Sequence, residues 1–238
     1  MSLIFEHIAL TGSTNADLIA RANAGAPEGL WVRADRQDAG RGRLGRVWDS
    51  EGGNLFASTI VRLGAGDPPA SSLGFLASIA AYETVRLIAP DVPIMIKWPN
   101  DLLTADGAKF CGMLLERAGD AVIIGIGMNL FAHPQGLDRP VTDLRSSGGN
   151  PPHAQAVLEI LAETLQSWLQ RWRLGGLQPL LKSWQQFAHP IGTVLTVNLP
   201  NGEQLQGLYN GLNDDGSLQL RLADGEIHAI HAADVFLI

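Results

Sequence analysis

The spacing of hydrophobic positions along the chain predicts several helices. Apolar residues recur every third or fourth position over residues 157–172, which is typical of an amphipathic helix. Residues 70–88 are apolar on most faces, so this segment is expected to form a buried helix. A further helix is expected to run to about Ala24, because Ser13 or Thr14 can cap its first turn.

Runs rich in β-branched and aromatic residues predict strands between these helices. Two dipeptides typical of hairpin turns, Asp106-Gly107 and Gly119-Asp120, separate the last three runs. A strand-rich middle flanked by helices indicates an α+β fold with a mixed or antiparallel sheet. The predicted strands cover residues 3–10, 30–36, 55–63, 93–98, 109–116 and 121–130.

The sequence after His189 has a different pattern. Short runs of alternating apolar and polar residues are separated by the turn sequences PNG, DDG and DG. Short strands with such turns are typical of a small β-barrel. The sequence therefore predicts two domains, residues 1–188 and 189–238.

The charge distribution narrows the possible functions. The formal net charge is −7, which argues against general nucleic-acid binding, because binding a polyanion usually requires a basic surface. Five arginines nevertheless lie within residues 33–46. A local basic spot on an acidic protein fits a small anionic ligand, with a solvated loop as the alternative.

Cysteine content and hydropathy predict a cytoplasmic protein. Cys111 is the only cysteine, which excludes an intrachain disulfide and a zinc site with several cysteine ligands. The first residues lack the pattern of a secretory signal, and no apolar stretch approaches the roughly 20 residues that span a bilayer. Neither G-x-S-x-G nor H-E-x-x-H occurs, which argues against those hydrolase classes.

The segment AGRGRLGR at 39–46 is a candidate anion-binding loop. Its glycines let the backbone approach a ligand closely, and its arginines carry planar groups suited to phosphate or carboxylate. Such a loop is expected to be mobile while empty and to become ordered over an anionic ligand. The string does not fit a P-loop, and a flexible RNA-binding turn is the alternative.

Three further segments combine polar or glycine residues with predicted strands. KWPND at 97–101 follows a strand, where Lys97 can reach a phosphate and Asp101 can bind a metal or a donor. KFCGMLLE at 109–116 and GIGMN at 125–129 place glycines inside apolar strands, which indicates close approach of a ligand. The alternatives are a plain turn for the first segment and bulges or tight strand crossings for the other two.

Together and in this order, these segments resemble the motifs of the biotin–protein ligase family. The matching segments are Ser13-Thr14-Asn15, GRGRLGR at 40–46, KWPND, KFCGMLLE and GIGMN. The resemblance covers the whole chain, because the predicted C-terminal barrel is similar to that family's SH3-like domain. It implies a class II synthetase-like ligase fold. A monofunctional form without the DNA-binding domain of bifunctional members is expected, because the first motif begins almost at the N-terminus.

The resemblance implies an ATP-dependent reaction in two steps. The carboxylate of biotin attacks the α-phosphate of ATP, which releases pyrophosphate and forms biotinyl-5′-AMP, and a lysine of an acceptor protein then attacks the mixed anhydride. The implied ligands are biotin, ATP and the Mg²⁺ that accompanies ATP. The implied partner is the apo biotin carboxyl carrier domain of an acyl-CoA carboxylase, with no nucleic acid and no membrane. Both a monomer and a homodimer are compatible with the family.

The resemblance also implies roles for individual residues. It implies no metal site formed by protein side chains alone. The implied biotin-binding residues are Ser13, Thr14, Asn15, Gln37, Gly40, Arg41, Lys109, Gly112 and Gly125. The implied ATP- and adenylate-binding residues are Arg43, Arg46, Trp48, Lys97, Asn100 and Asn129. The implied catalytic residues are Arg41, Arg43, Lys97, Lys109 and Asp101, the last of which orients or deprotonates the acceptor amine. Leu44 replaces a basic residue of the family's usual loop.

Three other functions share part of this pattern. A lipoate or octanoate ligase has the same catalytic fold but a different loop motif. A biotin-sensing repressor requires a DNA-binding domain, and a binding protein without ligase activity does not require all of the cationic residues.

Overall fold

The computed structural model describes residues 2–50, 52–231 and 233–237. The N-terminal part of the chain forms a mixed seven-stranded sheet. Its strands are β1 (Ile4–Thr11), β2 (Leu30–Gln37), β3 (Leu55–Arg62), β4 (Ile94–Lys97), β5 (Asp101–Thr104), β6 (Lys109–Ala118) and β7 (Ala121–Met128). They are arranged in the order β1-β2-β3-β7-β6-β5-β4. Strands β1 and β2 are parallel and the other neighbours are antiparallel, so the predicted α+β class is confirmed.

Helices cover both faces of this sheet. The helices are α1 (Thr14–Asn23), α2 (Leu73–Ile88), α3 (Ala154–Gly175) and α4 (Leu177–Phe187). Helix α1 is the crossover between the parallel strands β1 and β2, and its Leu18 and Ala22 pack on one face of the sheet. The other three helices form the main hydrophobic core against the opposite face.

Strand β7 shows how the sequence divides the two faces. Alternate residues from Val122 to Met128 belong to the main core, while Ala121 and Ile123 point to the face that carries α1. Because side chains alternate along a strand, the next two residues on the α1 face are Gly125 and Gly127. The chain therefore leaves open space beside the N-terminus of α1.

Three details differ from the sequence-based prediction. Asp101 begins strand β5 and does not form part of a turn, since only Trp98, Pro99 and Asn100 connect β4 to β5. Helix α4 was not predicted, because Gly175-Gly176 separates its short apolar pattern from α3. Ser13 precedes α1 but makes no side-chain capping hydrogen bond.

The C-terminal strands form a separate antiparallel sheet in the order β11-β10-β9-β8-β12. They are β8 (Val194–Asn198), β9 (Gln204–Leu212), β10 (Leu218–Arg221), β11 (Ile227–Ile230) and β12 (Asp234–Leu237). No pairing of described residues joins β11 to β12, so the SH3-like unit is an open sheet and the predicted closure into a barrel is wrong. The sheet begins at Val194, and a domain boundary at residue 189 stays a prediction.

The two sheets contact each other at the β4–β5 hairpin. Trp98 Nε1 donates to the carbonyl oxygen of Gly216 at 3.2 Å, and Lys97 Nζ donates to that of Val235 at 2.7 Å. The C-terminal sheet therefore lies directly against the KWPND segment. Within the described ranges, no helix is long and apolar enough to cross a membrane.

Candidate active site

A cavity of about 350 Å³ lies between the α1 face of the larger sheet and strand β12. Two of the predicted site residues, Gly40 and Asn129, do not line it. The predicted site residues that line it are Ser13, Thr14, Asn15, Gln37, Arg41, Arg43, Arg46, Trp48, Lys97, Asn100, Asp101, Lys109, Gly112 and Gly125. The fold thus brings together residues from the first 125 positions of the chain, and their individual roles stay predictions.

A buried network of uncharged side chains forms one end of the cavity. Gln37 Oε1 accepts from the backbone N–H of Thr14 at 2.8 Å. The Thr14 and Ser58 hydroxyls lie 2.7 Å apart, and Ser58 Oγ donates to Asn15 Oδ1 at 2.6 Å. Because each group is fixed by its neighbour, this end presents oriented donors and acceptors to a neutral ligand. The sequence analysis missed Ser58, which lies within an apolar strand.

Glycines form the floor of the cavity. Gly112 of β6 is paired directly with Gly127 of β7. An ideal Cβ at Gly127 would lie 2.5 Å from the ring of Trp48, and one at Gly112 would lie 3.0 Å from the same ring. A methyl group at Gly127 would collide with the indole, and one at Gly112 would crowd both the indole and the end of the Lys109 side chain.

Trp48 follows the Gly/Arg loop, which is a short hairpin. Arg41 and Val47 form an antiparallel bridge, and Trp48 N–H donates to the carbonyl oxygen of Gly40 at 2.9 Å. An ideal Cβ at Gly40 would lie 2.6 Å from the Trp48 carbonyl oxygen, so this position requires glycine although it does not line the cavity. Leu44 lies at the tip with a φ of 56° and is 74% exposed. The side chain at the tip therefore contributes little to the packing of the fold.

Two lysines and one aspartate form a buried ion cluster at the other end of the cavity. Asp101 contacts Lys97 at 3.0 Å and also contacts Lys109. Burial alone raises the pKa of the Asp101 carboxyl, but the charges of Lys109 and Lys97 outweigh it and hold that pKa well below its usual range. Burial lowers the pKa of the Lys109 ammonium, although the attraction of Asp101 opposes that shift. One carboxylate between two lysines leaves surplus positive charge for an anionic ligand.

Two arginines extend this positive end and contact the C-terminal sheet. Arg43 donates to Asn100 Oδ1 and to the carbonyl oxygen of Ala233, each at 3.3 Å. Arg46 forms an ion pair with Asp234. Residues of β12 therefore line the cavity, a contribution that the sequence analysis missed because no motif marks this strand.

Asn129 lies behind the cavity. Its side chain is buried, and Nδ2 donates to the carbonyl oxygen of Thr142 at 3.0 Å. In this structure the amide holds the loop that follows β7, and its implied role in binding ATP or the adenylate stays a prediction.

The acidic residues of the cavity do not fit a metal site. Asp101 and Asp234 are engaged by cations, and Asp106 accepts from the Thr104 hydroxyl. In the part of the chain that the structure describes, no three histidine, cysteine, aspartate or glutamate side chains are grouped to hold a metal ion.

The chain is similar to known ligases along almost its whole length. Residues 9–129 match the model of the biotin/lipoate A/B protein ligase family, and residues 195–238 match that of the biotin protein ligase C-terminal domain. A biotin–[acetyl-CoA-carboxylase] ligase of Paracoccus denitrificans is 34% identical, over 96% of this chain and 98% of that relative. One of Mycobacterium tuberculosis is also 34% identical, over 96% of this chain and 86% of that relative.

The fold is also similar to that of a solved structure. A biotin protein ligase from Aquifex aeolicus, in complex with biotin and ATP, superposes with a TM-score of 0.85 at 23% identity, over 99% of this chain and 98% of that one. The similarity includes both sheets.

Proposed function

The chain belongs to the biotin/lipoate A/B protein ligase family, and from that premise we propose that it is an ATP-dependent biotin–protein ligase. It forms biotinyl-5′-AMP from biotin and ATP, and it transfers biotin to a lysine of an acceptor protein. The names of the two relatives described above support this choice, since both are biotin–[acetyl-CoA-carboxylase] ligases.

The observation that carries the proposal is the polarity of the cavity. Thr14, Asn15 and Gln37 offer uncharged hydrogen-bonding groups at one end. Cations gather at the other end, around Lys97 and Lys109. Biotin has a neutral ring that carries a cyclic urea and a tail that ends in a carboxylate. The ring therefore fits the uncharged end, and its tail carboxylate and the α-phosphate of ATP fit the cationic end.

The first step joins two anions, so positive charge must offset their repulsion. Arg43, Lys97 and Lys109 hold the biotin carboxylate and the α-phosphate together, and they stabilise the charge that grows on the phosphate oxygens as pyrophosphate leaves. These cations are fixed in advance by Asn100, by Asp101 and by the carbonyl oxygens of the C-terminal sheet. Mg²⁺ bound to the triphosphate would add further charge stabilisation.

The second step requires the acceptor lysine as a free amine, and Asp101, which lines the cavity, is our candidate to orient that amine. A carboxylate whose pKa is held far below its usual range is a weak base, so orientation through a hydrogen bond suits it better than proton removal. The Asp101→Asn variant keeps a hydrogen-bonding group but loses the charge. Because Asp101 also fixes Lys97 and Lys109, we expect the variant to slow transfer to the acceptor more than it slows adenylate formation. Transfer at the wild-type rate would remove this role from Asp101.

Membership of the family also leads us to propose the acceptor protein, the oligomeric state and the cellular location. The acceptor is the apo biotin carboxyl carrier domain of an acyl-CoA carboxylase, in keeping with the relatives' names. The protein acts in the cytoplasm without nucleic acid. Both a monomer and a homodimer are compatible with the described site, whose lining comes from one chain.

ATP–pyrophosphate exchange tests the proposal. The purified protein, supplied with Mg²⁺, is assayed with biotin, with lipoate and with neither, and we expect exchange only with biotin. The Arg43→Gln variant removes one stabilising group at the phosphate, so we expect exchange to fall about 100-fold. Arg86→Gln is the matched control and keeps the wild-type rate, because Arg86 is exposed and donates to the Pro90 carbonyl oxygen. Exchange with lipoate alone would assign the protein to the lipoate branch, and no exchange by folded protein would contradict ligase activity.

A further inference from the structure

A carboxylate that the proposed mechanism does not use lies just beyond the cavity. Glu116 belongs to β6, on the same face as Gly112 and Leu114, but it does not line the cavity. Its side chain is 27% exposed and contacts two residues that do line it. Asn15 Nδ2 donates to Glu116 Oε2 at 2.8 Å, and Arg41 Nη2 lies 3.6 Å from Oε1.

The first of these contacts fixes the orientation of the Asn15 amide. Nδ2 donates to Glu116 and, at 3.3 Å, to the carbonyl oxygen of Leu114, while Oδ1 accepts from Ser58. An amide has donors only on its nitrogen and acceptors only on its oxygen, so a charged acceptor on one side sets which atom faces the ring pocket. Glu116 thus determines the hydrogen-bonding pattern that a neutral ring meets there.

The second contact joins Glu116 to the Gly/Arg loop. Arg41 is about half exposed, and it leaves the loop towards the uncharged end of the cavity. The other loop arginines, Arg43 and Arg46, point to the cationic end, where Asn100 and Asp234 hold them. Glu116 therefore supplies the acceptor for the loop at the end where the ring lies.

We propose that Glu116 is a positioning residue that couples closure of the Gly/Arg loop to recognition of the biotin ring. It holds Asn15 in the orientation that reads the ring, and it gives Arg41 a fixed contact when the loop covers that ring. Glu116 itself touches neither biotin nor ATP. This inference rests on the proposed function and extends it to a residue outside the cavity lining.

Two substitutions separate the two contacts. Glu116→Ala removes both, and we expect the Kd for biotin, measured by calorimetry without ATP, to rise about ten-fold or more. Glu116→Gln keeps an acceptor for Asn15 but loses the charge that attracts Arg41, so we expect a rise of about three-fold. In the exchange assay the KM for biotin rises accordingly, while kcat at saturating biotin and the KM for ATP stay at wild-type values. Asp91→Asn, which removes an exposed carboxylate next to β4, is the matched control.

A double-variant cycle tests whether Glu116 acts through Asn15. If it does, Glu116→Ala in an Asn15→Ala background raises the Kd for biotin by no more than about three-fold, which is the share that belongs to Arg41. Three results would overturn the inference. The first is a Kd in the double variant that rises by the product of the two single effects. The others are a wild-type Kd in Glu116→Ala and a parallel loss of kcat and ATP affinity. Where Glu116→Ala fails to fold, Glu116→Gln decides, and a wild-type Kd then refutes the role. If the proposed function itself is wrong, the unmodified protein will neither bind biotin nor catalyse exchange. That result is distinct from a failure of the role of Glu116, in which the unmodified protein does both.

Discussion

Substitution of Gly125 by alanine tests the position of the uncharged end of the cavity. Gly125 lies under the Asn15 side chain, and an ideal Cβ would lie 2.9 Å from Asn15 Cγ and 3.1 Å from Nδ2, with Oδ1 closer still. Real Cβ atoms essentially never approach another heavy atom within 3.0 Å. The amide must therefore move away, although Asn15 is only 4% exposed and has little room to do so.

The cost follows from the hydrogen bonds that Asn15 loses when it moves. The bond with Ser58 contributes about 1 kcal/mol and the bond with the Glu116 carboxylate about 2 kcal/mol to the free energy of unfolding. Alanine in a strand returns about 0.5–1 kcal/mol relative to glycine. The net loss is therefore about 2 kcal/mol. A similar loss of binding free energy corresponds to a rise of about 30-fold in the Kd for biotin.

Denaturant unfolding and biotin calorimetry on the same preparations measure both quantities. Gly74→Ala is the matched control, because Gly74 lies in helix α2 and an added methyl group there meets no atom within 4 Å. We expect that variant to gain up to about 1 kcal/mol of stability and to bind biotin as the wild type does. If Gly125→Ala matched the wild type in both stability and Kd, the placement of Asn15 over Gly125 would be refuted.

Three further predictions concern the rest of the molecule. Burial lowers the pKa of His189 to about 4 from 6.5, helped by the charge of Lys97 and opposed by the Pro190 backbone. Between these two pKa values the unfolded chain binds more protons than the folded protein. The free energy of unfolding therefore falls by about 3 kcal/mol as the pH falls from 6.5 to 4. We expect His189→Phe to remove this dependence in unfolding experiments. Trp48 is partly exposed while the other tryptophans are buried, so biotin and ATP should change the intrinsic fluorescence of the wild type but not of Trp48→Phe. Lys109→Met leaves Asp101 with one cationic partner, which should cost about 3 kcal/mol of stability and raise the pKa of the Asp101 carboxyl. Unfolding across the acid range measures both effects, and unchanged stability would argue against the buried cluster.

Much of the fold could be predicted because periodicity is a local property. The long apolar pattern of α3 and the β-branched runs of β3 and β7 specify their own secondary structure. Strand β5 could not be found in this way, because four residues contain too little of the period-two pattern, and a proline and an asparagine precede them. The open C-terminal sheet depends on which strands pair at its edges, and alternation within each strand does not specify this.

The site was predicted where sequence motifs supply its residues and was missed where tertiary packing supplies them. The loop arginines and the lysines that flank Asp101 belong to compact segments with unusual composition. Ser58, by contrast, lies in an apolar strand where a single hydroxyl carries no signal. Asp234 reaches Arg46 only because the two sheets pack together, and the two residues are separated by 188 positions.

The same alternation gives strand β7 two tasks at once. Its residues from Val122 to Met128 that face α2 and α3 form the wall of the core, and Gly125 and Gly127, which face α1, form the floor of the cavity. A shift of one residue in the pairing would exchange the two faces and place a large side chain under Trp48. The observed register avoids this, because it sets Gly127 beside Gly112 beneath the indole. For this reason a methyl group at Gly125 disturbs the ligand site while the core side of the strand remains intact.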